Sequence, residues 1–253
     1  MKSKKVQFTG SEGHQLAGKM DLPDSGEIRA TVLFAHCFTC SKNLRVVGQI
    51  SSALPEKGLG VFRFDLTGLG ESGGEFADAT FSNDVQDLVA AASYMRENWK
   101  APAIVMGHSL GGAAVLQAAN RIDSIEAVTT VGAPCNPQHV QHLLDEKIEE
   151  IEAKGEAVVT LAGRNFKVKK QFIDDLNEQV MDGIISNLGK ALLIFHSPVD
   201  QTVGIDNAAH IYKLAKHPKS FVSLDNADHL LTQEADAQYV GSVTAAWAER
   251  YFT

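Results

Sequence analysis

Ala103-Ile104-Val105-Met106-Gly107-His108-Ser109-Leu110-Gly111-Gly112-Ala113-Ala114-Val115-Leu116 is the stretch from which the rest of the chain can be read. The first four residues are a short apolar run, as expected of a strand covered on both faces. From Leu110 onward, alanine and leucine favour a helix. Between the two, Gly107-His108-Ser109-Leu110-Gly111 fits G-x-S-x-G, and this strand–turn–helix setting is that of a nucleophile elbow. Glycines on either side of the serine let the backbone turn tightly, and Gly112 lets the new helix lie close to neighbouring strands. A phosphate-binding turn is the alternative, and the flanking strand and helix count against it.

The same alternation extends in both directions. Upstream, Val6 to Thr9 and His14 to Leu22 flank a Ser11-Glu12-Gly13 turn, which predicts a hairpin at a sheet edge. Ala30 to Ala35 and Val61 to Asp65 are strands separated by a helix from Leu44 to Lys57. A glycine-rich loop covers Thr67 to Glu75. Ser82 then opens a helix over Phe81 to Trp99, with Val85, Leu88, Val89, Ala92 and Met95 at helical spacing. Beyond the elbow helix (Leu110 to Arg121) come strands at Ala127 to Val131, Ala191 to Phe195 and Ser220 to Leu224. Helices are expected at Asp206 to Ala215 and Glu234 to Phe252. Strands alternating with helices build a mostly parallel, doubly wound α/β sheet with helices on both faces.

Residues 136–189 break this rhythm, being too long for a crossover and too patterned for a loop. Leu144, Ile148 and Ile151 share a face of an acidic helix, and residues 157–169 suggest two short strands around Ala162-Gly163-Arg164-Asn165. Phe172, Ile173, Leu176 and Val180 mark a further helix. A small cap over the C-terminal edge of the sheet is expected, since open α/β sheets bind ligands there. A peripheral packing unit or a dimer contact is the alternative. The chain is thus expected to be one domain over 1–253 with an inserted cap at 136–189.

The chain has 253 residues, and 23 basic against 31 acidic side chains set the net charge at −8. An acidic balance disfavours nucleic acid and anionic membrane as partners. Half of that charge lies in residues 141–156, where six acids face two lysines, so it reads as the solvated face of the cap. No apolar run reaches the ~18 residues of a membrane span. The basic start lacks the apolar core of a secretory signal. Three cysteines exclude a disulfide scaffold and fit a reducing compartment, so a cytoplasmic location is expected. The oligomeric state stays open, with a homodimer allowed.

A serine needs a base to become a nucleophile. With an elbow of this type the acid and the histidine follow the serine in the chain. Among nine histidines, His229 lies between the last strand and the closing helix, where that base belongs. His210 and His217 fall in or at the end of a helix, His196 ends a strand, and His108 flanks the serine and points away. Asp200 lies four residues after the Ala191–Phe195 strand ends and is placed to hold the imidazole; Asp206, Asp225 and Asp228 are less well placed. The oxyanion donors expected are the backbone N–H groups of Leu110 and Phe38, with His36 bracing the second loop. Cys37 and Cys40 form a C-x-x-C, but a structural zinc site needs two more ligands and Cys135 is the only other thiol. No metal and no cofactor is expected.

VLFAHCFTCSK, FDLTGLGES, GHSLGG, HSPVDQTV and ADHLL occur in this order across almost the whole chain. The pattern resembles the α/β-hydrolase superfamily on its serine-esterase branch. It is close to the hydrolase domains that bacteria often fuse to an OsmC-like domain. It is also similar to cinnamoyl/feruloyl and short-chain carboxylesterases with a small helix-and-hairpin cap. The resemblance implies Ser109 as nucleophile, Asp200 as acid, His229 as base, and Phe38 and Leu110 as oxyanion donors. Two departures stand out: Cys37 replaces the usual glycine of His-Gly-Phe, and the chain ends at Thr253 without an OsmC-like domain. The activity expected is a serine carboxylesterase acting on small-molecule short-chain or aryl esters through an acyl-enzyme. A thioesterase, amidase, peptidase or C–C hydrolase with the same three residues stays open, as does a non-catalytic ligand-binding module.

Overall fold

The computed structural model describes residues 1–161 and 163–252. Its first strands are β1 (Lys2–Thr9), β2 (Gln15–Leu22), β3 (Ala30–Ala35) and β4 (Leu59–Phe64). They are followed by β5 (Ile104–His108), β6 (Ala127–Val131), β7 (Glu156–Leu161), β8 (Arg164–Lys169), β9 (Ala191–His196) and β10 (Lys219–Ser223). One eight-stranded sheet runs in the order β1-β2-β4-β3-β5-β6-β9-β10, while β7 and β8 pair separately. The strands from β4 to β10 in that order are parallel, and β1 and β2 form the antiparallel margin. This is the α/β-hydrolase fold.

The period-2 alternation of a strand explains why the central strands read as unbroken apolar runs. Leu33, Val105, Val128 and Leu192 point into one core, which is covered by helices α2 (Phe81–Asn98) and α3 (Leu110–Ala118). Phe34, Met106, Val131 and Phe195 point into the other, under α1 (Arg45–Ala53) and the C-terminal α8 (Glu234–Ala248). Both faces are buried, so an unpaired polar group on these strands is costly; the hydroxyls of Thr129 and Thr130 on β6 nonetheless have no hydrogen-bond partner among the described residues.

Several boundaries differ from expectation for local reasons. The first helix stops at Ala53, because Pro55 has no N–H for a helical bond and a 3-10 turn, Pro55–Lys57, takes over. Helix α2 is capped by Thr80, whose hydroxyl accepts the Asn83 N–H, and not by Ser82. Ser82 instead donates its N–H and hydroxyl to the Asp175 carboxylate at 2.9 and 2.5 Å.

Asp175 belongs to the segment between β6 and β9. That segment starts as a 3-10 helix, Pro137–Lys147, where one continuous acidic helix was expected, and continues as α4 (Ile148–Lys154). After the β7–β8 hairpin come α5 (Lys170–Glu178) and an unanticipated α6 (Met181–Ser186). The hairpin turn is tighter than its sequence suggests, since Leu161 pairs directly with Arg164. Ala162 lies outside the described residues. Phe172, Ile173 and Leu176 of α5 are buried as expected, whereas Val180 follows the helix and is 74% exposed. Helix α7 (Asp206–Leu214) links β9 to β10.

Two buried ion pairs lie beside β4, one of them reaching the antiparallel margin. Arg63 of β4 donates from Nε to Asp21 of β2 at 2.9 Å, and its guanidinium also reaches the Lys42 carbonyl. Lys42 donates from Nζ to Asp65, just past β4, at 2.5 Å. A buried pair adds little net stability, but removing one partner strands a charge. Asp21→Ala is therefore expected to cost about 3–5 kcal/mol in urea unfolding, a loss the paired replacement of Asp21 and Arg63 by apolar residues largely restores.

Candidate active site

Strand β5 delivers the chain to a forced conformation. Ser109 has φ 54° and ψ −127°, a left-handed geometry for a residue with a side chain. The surroundings leave no other course. A Cβ on Gly107 would meet the Gly111 carbonyl oxygen at 2.2 Å, and one on Gly111 would meet the His36 carbonyl oxygen at 2.4 Å. Only glycines permit this approach, so the two flanking positions hold the serine hydroxyl up from the end of β5. The Ser109 N–H donates to the Val131 carbonyl at 2.9 Å, fastening the elbow to β6.

The turn after β9 and the loop after β10 supply the other two expected residues. His229 Nε2 lies 2.9 Å from Ser109 Oγ, and its Nδ1 lies 2.7 Å from Asp200 Oδ2. A carboxylate only accepts, so the proton sits on Nδ1 and Nε2 is free to accept from the serine hydroxyl. Asp200 also accepts the N–H groups of Thr202 and Val203 through Oδ1, at 2.8 and 2.9 Å. Burial by itself would push its carboxyl up. The imidazole and the two N–H donors outweigh burial and hold it below the usual carboxylate range. Ser109, His229 and Asp200 thus meet from three loops. Asp225 and Asp228 do not join them; Asp228 instead accepts the N–H of Thr232.

The backbone N–H groups of the two expected oxyanion donors, Leu110 and Phe38, have no backbone acceptor among the described residues. Leu110 begins α3, so its N–H is among the four that have no intrahelical carbonyl. The Phe38 N–H likewise has no carbonyl partner among the described residues. Its loop is braced as expected by His36, whose Nδ1 is 2.9 Å from the Cys37 carbonyl and whose Nε2 accepts the Leu66 N–H at 3.2 Å.

The cysteines require a correction. Cys37 and Cys40 are joined in a disulfide that brackets Phe38 and Thr39, leaving Cys135 as the free thiol. Thr39 lies within this small ring at φ 59°. With two of three cysteines paired, the cysteine count no longer argues for a reducing compartment.

A cavity of about 580 Å³ opens above Ser109 and His229. Phe38, Leu44, Val140, Leu143, Leu161 and Leu230 make most of its wall apolar. The β6–β9 segment contributes part of that wall, and its Phe172 stacks on Phe38 with ring centroids 5.3 Å apart.

Known proteins resemble this chain in sequence and in fold. A family model described as serine aminopeptidase, S33 (Hydrolase_4) matches residues 26–177, more than half of the chain. The chain belongs to this family of α/β hydrolases. The esterase domain of a Rhodothermus marinus protein is 47% identical, with a TM-score of 0.81 and 99% of each chain covered. Est1E from Butyrivibrio proteoclasticus, solved with ferulic acid, shares the fold at 21% identity and a TM-score of 0.77, over 95% of this chain and 98% of its own. The uncharacterized protein YfhR of Escherichia coli K12 is 24% identical over 228 residues, which are 89% of this chain and 72% of YfhR.

Sequence reasoning missed three supports of this hydrolase site. His108 does not simply point away: its Nε2 donates to the His229 carbonyl at 2.7 Å, bracing the loop that carries the imidazole. Among the described residues no partner reaches its Nδ1. His196, considered as a rival base, is buried and donates to the Val203 carbonyl at 2.7 Å. The third support is the Lys42–Asp65 pair at the end of the loop that carries Phe38; both residues stand in the motifs HCFTCSK and FDLTGLGES, but their pairing across the fold is not written in either. No helix among the described residues is long and apolar enough to cross a membrane.

Burial pushes the His108 imidazole down to about 3, and pushes His36 and His196 below the ordinary histidine value as well. The unfolded chain binds these protons near pH 6.5 while the folded chain refuses them, so stability rises with pH through this range. Stability is expected to be full above about pH 6.5 and to fall on acidification, by about 1.4 kcal/mol per pH unit from His108 alone. Urea midpoints recorded against pH check this: His108→Gln, which can keep a donor to the His229 carbonyl, should show an acid limb shallower by one proton.

Proposed function

We propose that this α/β hydrolase is a serine carboxylesterase for small esters. The observation that carries the reading is the continuous hydrogen-bonded line from Ser109 Oγ through His229 to Asp200 at the floor of an apolar cavity. The esterase domain from Rhodothermus marinus, similar over nearly its whole length, supports the same class.

In this reading Ser109 Oγ attacks the ester carbonyl carbon as His229 Nε2 takes its proton. Asp200 holds the imidazole in the working tautomer and stabilises the imidazolium. The carbonyl oxygen, now negative, accepts hydrogen bonds from the Phe38 and Leu110 N–H groups. Collapse breaks the bond to the alcohol oxygen, which leaves with the proton from His229. Water then repeats the sequence on the acyl-enzyme, releasing the acid and restoring Ser109. The segment 136–189 acts as a cap that shapes the cavity for short acyl or aryl groups.

The family's description as a serine aminopeptidase gives a second reading with the same three residues. An aminopeptidase must hold a protonated substrate amine, and a buried ammonium needs a carboxylate partner. Among the described residues no aspartate or glutamate lines this cavity, whereas Arg45 and Arg164 do. The charge therefore favours the ester.

Ser109→Ala is expected to abolish turnover of p-nitrophenyl acetate and butyrate, and Asp200→Asn to lower kcat about 10⁴-fold through the wrong tautomer. Retention of most activity by Ser109→Ala would sink the mechanism. An amino-acid p-nitroanilide cleaved faster than these esters would move the assignment to the peptidase. The Cys37–Cys40 bond is assigned a clamping role here and not an electron-transfer one. Its reduction should cost about 2 kcal/mol by the entropy of a four-residue loop, seen as a lower melting temperature, with ester turnover persisting in the Cys37→Ser/Cys40→Ser protein.

A further inference from the structure

The cavity's charge carries information beyond the reaction class. In a chain where acids outnumber bases 31 to 23, no aspartate or glutamate is among the described residues that line it. Arg45 and Arg164 stand in it instead, together with His139 and His142. The two histidines are engaged locally: His139 Nε2 lies 2.8 Å from the Thr202 carbonyl, and His142 Nδ1 bonds the His139 carbonyl. The arginines are different.

Between Pro137 and Ser186 the chain has six lysines and arginines. Lys147, Lys154, Lys167, Lys169 and Lys170 each pair with a carboxylate. Arg164 does not. Its guanidinium lies over the Phe166 ring, 5.1 Å from the centroid, and donates to the carbonyl of Thr39, one residue beyond Phe38. That contact seats a positive charge beside the oxyanion loop. Arg45, the first residue of α1, follows the same loop and lines the same cavity; among the described residues it has neither an ion pair nor a hydrogen-bond acceptor. Two guanidinium groups therefore face the cavity with bonding capacity to spare, separated from the acids that neutralise their neighbours.

We propose that these arginines select esters carrying a carboxylate at the end away from the scissile bond. The proposal rests on the esterase reading and names its substrate class. Guanidinium matches a carboxylate fork to fork, which gives orientation as well as attraction. Low-dielectric walls focus the field of the two charges into the cavity and raise the local concentration of an anionic substrate. The apolar side chains of Leu44, Leu143 and Leu161 in the same lining suit a methylene or aryl spacer between the carboxylate and the ester. Catalysis stays with Ser109, His229 and Asp200; Arg45 and Arg164 are specificity residues.

The test compares matched pairs of esters on the full chain. Monomethyl adipate against methyl hexanoate places the charge on the acyl side. p-Acetoxybenzoate against its methyl ester places it on the alcohol side. The quantity read is the ratio of kcat/KM, anionic over neutral, in wild type, Arg45→Glu and Arg164→Gln, at low and raised ionic strength. Comparing each ratio with that of wild type cancels the intrinsic reactivity of the esters. In at least one pair the ratio is expected to fall about tenfold in Arg45→Glu, a charge reversal, and about threefold in Arg164→Gln and at high salt. Ratios unmoved by both substitutions and by salt in both pairs overturn the proposal. If methyl hexanoate is nonetheless turned over by wild type and not by Ser109→Ala, the esterase reading stands and only the anion preference is lost. If wild type turns over none of the four esters, both readings fall.

Discussion

The carboxylate of Asp65, just past the end of β4, is the point on which the active edge depends. Its Oδ1 accepts the Lys42 N–H at 2.6 Å, and its Oδ2 accepts Lys42 Nζ at 2.5 Å and the Glu71 N–H at 2.8 Å. Its own N–H donates to the Ala17 carbonyl of β2. One buried residue thereby joins the margin of the sheet through its N–H, and the glycine-rich loop and the end of the loop after β3 through its carboxylate. Because the carboxylate is buried, each of these partners helps to offset the burial of its charge. The pairing contributes specificity of arrangement more than net stability. It anchors the end of the 36–42 segment, in which Phe38 lies.

The same logic of enforced geometry acts at Ser109. A left-handed φ at a residue with a Cβ is unfavourable by itself. It persists because the close approaches around Gly107 and Gly111 and the Ser109 N–H bond to Val131 leave no relaxed alternative. The histidines around the site divide by environment. His36, His108 and His196 are buried, uncharged braces that hold carbonyl and N–H groups of the active loops. His229 alone among these four contacts both a carboxylate and the serine hydroxyl. Rigid neutral imidazoles around one mobile proton keep the line from Ser109 to Asp200 straight.

Much of this was legible in the sequence because the signals are local. A strand buried on both faces has to be apolar throughout, so Ala30–Ala35, Ala127–Val131 and Ala191–Phe195 announce themselves. The elbow needs glycine at fixed offsets from the serine, and Asp200 and His229 were found by their place after particular strands. Legibility failed where a residue's role depends on a distant partner. Ser82 looked like a helix cap but serves Asp175, 93 positions away; Thr80 took the cap. Val180 continued a periodic pattern, yet α5 had already ended at Glu178. His108 looked idle beside the serine until the fold brought it the His229 carbonyl.

The sequence by itself determined the parallel α/β architecture, the position of the elbow and the three residues that meet there. Periodicity, turn chemistry and strand order are properties of contiguous residues, and folding cannot change them. Only the tertiary structure decided which charges are paired. It set Lys42 on Asp65, closed Cys37 onto Cys40, and left Arg45 and Arg164 in the cavity wall without an acid. These are outcomes of long-range proximity: whether a charge is neutralised depends on what lies within a few ångströms of it, and that neighbour comes from elsewhere in the chain.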